Sequence, residues 1–273
     1  MNVLEVDHLK IWDGRTDRML VHDISFRLRQ GECLAIVGES GSGKSLTCRA
    51  LMRLNRSGLC QSGSIVVNGV NLSELPEKEM RKVRGKRLCM IMQNGMRAFD
   101  PSRPVGAHLL ETLAVHEYGS RDEMTENIKR ALESVGLQDP LAVMSRYPHE
   151  LSGGMLQRVM IALAIALEPD IIIADEPTTA LDTVTQYEVV EQFVQLRSRI
   201  GSSMIFVSHD LGVVKRIADE VLVMKDGEIV ERGRTGDIFA GAQHPYTRYL
   251  VSSKLALNHH FLRLMGGGSI AES

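Results

Sequence analysis

The segment Gly38-Glu39-Ser40-Gly41-Ser42-Gly43-Lys44-Ser45 constrains this chain more than any other, because of what flanks it. Before it, Cys33-Leu34-Ala35-Ile36-Val37 is a continuous apolar run of the kind found in strands buried on both faces. After it, residues 45–54 read as a helix. A GxxxxGK[ST] loop in that setting is a phosphate cradle. Its glycines let backbone N–H groups turn inward around phosphate oxygens, and the helix adds the positive end of its dipole. Lys44 is placed to bridge β- and γ-phosphates and Ser45 to ligate Mg²⁺. The plain alternative, a Gly/Ser connector, is outweighed by the full pattern in this context. A cradle alone does not name a reaction, since kinases, GTPases and motor ATPases share it.

The rest of the chain reads as α/β. Residues 3–28 are short and β-like, 65–67 form a strand entering the Asn68-Gly69 turn, and 88–92 form another buried strand. From 104 to 167 the periodicity is helical, clearest at 122–135 and 154–167, which predicts an inserted helical subdomain. Alternation then resumes with a strand at 171–174, a helix at 183–199, a strand at 203–207 and a helix at 211–218. Residues 221–232 fold at Asp226-Gly227 as a hairpin. The polar C-terminal extension ends in Gly266-Gly267-Gly268-Ser269 and is expected to be a mobile tail.

Composition narrows the partners. The 273 residues are 44% apolar and 24% charged, enough to bury a real core. Thirty-two Lys and Arg against 34 Asp and Glu leave a formal charge of -2, with no basic excess to hold nucleic acid non-specifically. Four cysteines, Cys33, Cys48, Cys60 and Cys89, lie scattered without a CxxC pair, which fits a reduced cytosolic protein. Glu5 and Asp7 interrupt the start where a signal peptide needs an apolar run. The longest apolar stretch, 159–167, lies between Arg158 and Glu168, short of the ~20 residues that span a bilayer.

Carboxylates stand where hydrolysis needs them. The run Ile171-Ile172-Ile173-Ala174 delivers Asp175 and Glu176 to the C-terminal end of a strand, the edge of an α/β sheet where ligands gather. Asp175 can hold the Mg²⁺ shell while Glu176 polarises the attacking water as general base. Alone, the pair could simply solvate a strand end; the phosphate loop makes that reading weak. Gln93 and His209 end two further buried strands, placed to meet the same γ-phosphate. Singly, each is more often a satisfied structural residue, but their joint occurrence in this order reverses the balance.

Leu151-Ser152-Gly153-Gly154-Met155-Leu156-Gln157-Arg158, ahead of the carboxylate strand, closely resembles the ABC signature. With it, residues 1–252 resemble an ABC transporter ATPase: Walker A at 38–45, Q-loop at Gln93, signature at 151, Walker B at 171–175, base at Glu176, D-loop at Ala180-Leu181-Asp182, and switch histidine at His209. The resemblance implies a P-loop ABC ATPase with a RecA-like mixed-sheet core, an N-terminal antiparallel β subdomain and a helical subdomain at about 95–167. The ATPase domain would span 1–235 and the extension 236–273. It further implies ATP and Mg²⁺ as ligands, with Ser45, Gln93 and Asp175 around the metal. Ser152, Gly153, Gly154 and Met155 would close on ATP held by a second subunit, and Asp182 would communicate between the two sites. A second Gly-rich helix start is an anion site on physical grounds as well, although a glycine turn capping a long helix has the same geometry. Trp12, the only tryptophan, lies roughly where related ATPases keep an adenine-stacking aromatic, with a surface aromatic as the even alternative.

Further stretches resemble the peptide and nickel importer ATPases. These are Arg84-Gly85-Lys86, Ala98-Phe99-Asp100-Pro101, and His244-Pro245-Tyr246-Thr247 with Leu250. Taken alone, the last is a helix start with Pro in its first turn. Met155 stands where the commoner signature has Gln, which removes a hydrogen-bonding side chain and suggests a heterodimer. The 93–101 and 152–158 runs most resemble importers of nickel or of metal bound to opine-type metallophores. Di- or oligopeptide import is the alternative, and a non-transport ABC ATPase on DNA or ribosomes or a purely regulatory nucleotide-binding protein are rivals of other classes. The implied partners are a second, non-identical ATPase, two transmembrane permeases and an extracellular or periplasmic substrate-binding protein, with this chain peripheral on the cytoplasmic face. The cysteine cluster of some peptide-importer ATPases is expected to be absent, since no cysteine follows Cys89. Adjacent His259 and His260 lack the spacing of a helical metal site and are assigned no transition metal.

Overall fold

A computed structural model describes residues 1–93, 95–116, 118–179 and 181–253. His259, His260 and the Gly266-to-Ser269 tail lie outside the described residues.

Two sheets carry the fold. The first is antiparallel, with strands β1 (Asn2–Asp13), β2 (Met19–Arg29), β4 (Leu59–Val67) and β5 (Val70–Asn71) in the order β2-β1-β4-β5. The second adds β3 (Cys33–Val37), β6 (Leu88–Ile91), β7 (Ile171–Asp175), β8 (Ser203–Val207), β9 (Glu220–Lys225) and β10 (Glu228–Arg234) in the order β10-β9-β3-β8-β7-β6. Strands β9, β3, β8, β7 and β6 run parallel, and β10 pairs antiparallel at the edge. This mixed sheet with an antiparallel N-terminal sheet is the architecture expected.

Why the central strands are apolar throughout follows from what covers them. Along β7, Ile171 and Ile173 enter one core while Ile172 and Ala174 enter the other; on β8, Ile205 and Val207 oppose Met204 and Phe206 in the same way. Period-two geometry thus feeds two cores from one strand, so polar side chains are confined to the strand ends, at Ser203 and Asp175, where each has a hydrogen-bond partner. One core lies between the two sheets. The other joins the large sheet to the helices between β6 and β7, namely α3 (Val105–Val115), α4 (Arg121–Ser134), α5 (Pro140–Ser145) and α6 (Gly153–Leu167).

Helix ends follow local chemistry. Ser120 and Glu123 form a reciprocal capping box on α4. Helix α7 (Thr183–Ile200) begins at Asp182, whose side chain accepts from the N–H groups of Val184 and Thr185, and stops at Gly201 in the left-handed region. After the cradle, α1 is Lys44–Leu51, shorter than the sequence reading, because Arg53 turns to φ 52°. Helices α2 (Glu77–Val83), α8 (Leu211–Ile217) and α9 (Thr235–Gly241) complete the set, and a last helical run covers 245–253. Tyr246 and Leu250 of that run are buried beside Ala35, Val37 and Val223.

Candidate functional site

The parallel strands bring their C-terminal ends to one edge. There β3 feeds the glycine loop, β6 runs toward Gln93, β7 ends in Asp175 and Glu176, and β8 leads to His209. A cavity of about 280 Å³ joins Gly38, Glu39, Lys44, Glu176, His209 and Leu250.

The loop is shaped by contact as much as by conformation. A Cβ on Gly38 would sit 2.2 Å from the Met224 carbonyl oxygen, and its φ of 151° disfavours any side chain, so no other residue fits between β3 and β9. Lys44 is buried, and its ammonium donates to the Gly38 and Glu39 carbonyls at 2.8 and 2.7 Å. Burial pulls its pKa down, opposed by the Glu176 and Asp175 carboxylates. An ammonium held by two loop carbonyls can exchange them for phosphate oxygens.

Ser45 Oγ donates to Asp175 Oδ1 at 2.8 Å. Burial pushes the Asp175 carboxyl above its usual range, partly offset by that hydrogen bond. A hydroxyl and a carboxylate converging in this way are the hard oxygen donors that Mg²⁺ takes, so the residues present fit the metal.

Three groups converge on one oxygen of Glu176. Gln93 Nε2 donates to Oε2 at 3.2 Å, Thr179 Oγ1 donates to it at 3.1 Å, and His209 Nδ1 lies 3.7 Å away. The Glu176 backbone adopts φ 48° and its N–H donates to the Val207 carbonyl of β8. A left-handed glutamate is uncommon and costs energy that the surroundings must supply, a pattern that clusters at functional sites. Thr179 was missed in the sequence; its spacing of three from Glu176 is the only signal.

Other expected residues sit elsewhere. None of Ser152, Gly153, Gly154, Met155, Asp182 or Trp12 lines the cavity. Each of several has a partner within the chain. Ser152 caps α6 by accepting from the Met155 N–H at 3.2 Å, and Asp182 caps α7 while accepting from Thr185 Oγ1 at 2.6 Å. A Cβ on Gly154 would lie 2.5 Å from Thr185 Cγ2, so this glycine lets α6 and α7 approach. Trp12 is half-buried on β1, opposite Met19, while Val21 of β2 approaches Gly43 of the loop.

No helix of the described residues is long and apolar enough to cross a membrane, and no cluster of three or more His, Cys, Asp and Glu among them could hold a metal ion.

The ABC transporter family model matches residues 21–179. The metal-staphylopine import system ATP-binding protein CntD of Staphylococcus aureus (strain NCTC 8325 / PS 47) is 47% identical over 267 residues, covering 98% of this chain and 98% of CntD. The glutathione import ATP-binding protein GsiA of Escherichia coli (strain K12) is 44% identical over 261 residues, covering 92% of this chain and 42% of GsiA. Among solved structures, the dimeric bacterial ABC transporter cassette MJ0796 superposes with a TM-score of 0.75 at 25% identity, covering 85% of this chain and 98% of that one. The cbiO1 protein of Clostridium perfringens, part of the ABC transporter complex cbiONQ, does so at 0.74 and 24% identity, covering 96% and 99%.

Proposed function

This chain belongs to the ABC transporter family, and from that premise we propose that it is the ATP-hydrolysing subunit of an importer for a transition metal, nickel first and in metallophore-bound form. The end-to-end likeness to the metal-staphylopine import ATPase carries the choice of cargo. Likeness to the glutathione import protein supports small peptides as the second reading.

The roles follow from the geometry. Lys44 leaves the carbonyls of Gly38 and Glu39 to grip the β- and γ-phosphates, with Glu39, Ser40, Gly41, Ser42 and Gly43 lining the cradle. Trp12 offers a stacking face for adenine. Ser45, Asp175 and Gln93 would hold Mg²⁺, which neutralises developing phosphate charge when bound. Glu176 is the general base: Gln93 and Thr179 fix its carboxylate so that it takes a proton from an in-line water, and His209 steadies the γ-phosphate.

The signature segment Ser152 to Met155 lies away from this chain's own cavity, so the reading gives it to the nucleotide of a second ATPase, as the dimeric state of a related cassette supports. Met155 favours a non-identical partner, and Asp182 links the two sites. Two permeases, a substrate-binding protein outside the membrane and a peripheral place on its cytoplasmic face complete the assembly. The unit spans 1–235, with helices inserted at 95–167 and an extension at 236–273.

The test is uptake of radiolabelled nickel and of a labelled dipeptide in cells lacking this chain. Nickel uptake should fall and return with the wild-type chain but not with Glu176→Gln. Loss of dipeptide uptake alone selects the second reading, and normal uptake of both removes the proposal.

A further inference from the structure

The stretch 243–250 is held at two points, one of which is the phosphate loop itself. At its start, the Glu231 carboxylate of β10 accepts the N–H groups of Gln243 and His244 at 2.6 and 3.1 Å. One turn on, the Tyr246 hydroxyl accepts the Glu39 N–H at 2.9 Å, across 207 positions of sequence. Tyr246 is 9% exposed, packed beside Ala35 and Val37, with the Lys225 ammonium 5.2 Å from its ring centroid. Leu250, one helical turn further, supplies a wall of the cavity that also contains Lys44, Glu176 and His209.

These contacts form a relay. The Tyr246 oxygen holds the Glu39 amide, and the carbonyl of the same residue carries the Lys44 ammonium at 2.7 Å. Glu39 therefore has its N–H committed to the C-terminal segment and its C=O committed to the cation of the cradle. Without the phenol oxygen, a partly buried loop N–H loses its partner, and the loop gains freedom that binding must then remove.

We propose that Tyr246 is a positioning residue for the phosphate loop, its hydroxyl fixing Glu39 so that the 243–250 segment sets how tightly this chain takes up ATP. The proposal rests on the reading of the cradle as an ATP site. It assigns the described part of the C-terminal extension a task at the nucleotide, distinct from any contact with membrane partners.

The experiment compares the full chain with Tyr246→Phe, which keeps the ring and removes only the oxygen. MgATP affinity is measured by calorimetry and amide exchange by mass spectrometry. Tyr246→Phe should weaken ATP about 3–10-fold, the loss expected for one hydrogen bond. It should also speed exchange in the 38–45 peptide, while protection over 245–253 stays as in the wild type. Glu231→Ala, which frees the other end of the segment and leaves the phenol intact, should weaken ATP in the same direction by less. Tyr249→Ala, at an exposed phenol on the same helix, should change neither readout. Unchanged affinity in Tyr246→Phe overturns the proposal, as does faster exchange over 245–253 equal to that in the loop, which would make the residue a strut of the extension alone. A wild-type chain that fails to bind ATP overturns instead the reading beneath it.

Discussion

Ser45 Oγ donates a hydrogen bond to Asp175 Oδ1 at 2.8 Å, joining the first turn after the glycine loop to the end of β7 across 130 positions of sequence. Strands β3 and β7 are not neighbours; β8 lies between them. The contact therefore depends on the sheet being assembled, and it places the two oxygen donors of the site together only in the folded chain.

Asp175 is a buried carboxylate whose pKa burial has raised, and the consequence for stability has a definite sign. A carboxyl whose folded pKa exceeds its unfolded pKa favours folding most while protonated, below the ordinary carboxylate range. That contribution is lost as pH rises through the raised folded value. Asp175→Asn, in chelator and without nucleotide, should melt above the wild type at pH 7–8, with the gap closing as pH falls toward 4. Melting curves across that range check it, and a variant that melts lower at every pH would contradict the burial argument.

Glu176→Gln keeps the shape and a hydrogen-bonding oxygen but removes the carboxylate proposed as the base. In the assembled transporter, hydrolysis should fall by about 10²–10⁴-fold with ATP affinity retained. Thr179→Val, which takes one of the groups off Glu176 Oε2, should lower turnover by less than Glu176→Gln. Steady-state hydrolysis beside equilibrium binding separates the two effects, and full turnover by the Gln variant would dismiss Glu176 as the base.

How much of this was legible in sequence differs by element. Strands β3, β7 and β8 were readable because each packs apolar side chains on both of its faces, which forces an apolar run. Helix α2 was not, since only Met80 and Val83 of its seven residues are buried and so short a pattern shows no period. Helix α9 contains Gly236, a poor helix former, and Ile238 fixes it by packing against the core. The loop, Asp175, Glu176, Gln93 and His209 stood out because each lies at or just past the C-terminal end of a buried strand. Tyr246 appeared only as a mark of resemblance, because a partner 207 positions away leaves no local trace. Asp182 was read only for its role toward a second subunit, and its cap on α7 appears only in the folded chain, whereas for Ser152 the cap on α6 stood as the alternative reading.

Thiol chemistry should report the fold directly. Cys60 is exposed, whereas Cys33 and Cys89 are buried with thiols pushed up to about 12, and Cys48 is buried and raised as well. Since the thiolate is the nucleophile, an aromatic disulfide reagent at pH 8 should label Cys60 in the native chain and the other three only after denaturation. Rapid native labelling of Cys33 would contradict the packing of β3.

Arg197 acts as a bracket behind the site. It donates to the Gly31 carbonyl at 2.9 Å and the Ile217 carbonyl at 3.3 Å, and pairs with Asp219 at 2.6 Å, while Asp219 accepts the Cys33 N–H at 2.8 Å. Arg197→Ala should cost about 2–3 kcal/mol, since it leaves the Asp219 charge and two carbonyls without their donor. In a chain of this size that lowers the melting temperature by roughly 4–10 °C. Arg197→Lys, which restores a charge but not the planar fork, should recover part of the loss.

Strands β6 and β7 lie side by side and parallel, so the chain departs on its helical excursion from one rail and re-enters on the next. Exit and return stay in register whatever the detour contains, and the entropy of closing such a detour grows only slowly with its length. Descendants of this sequence could therefore lengthen, trim or reshape the detour ahead of Ser152 while the strand ends that carry Asp175 and Glu176 stay as they were.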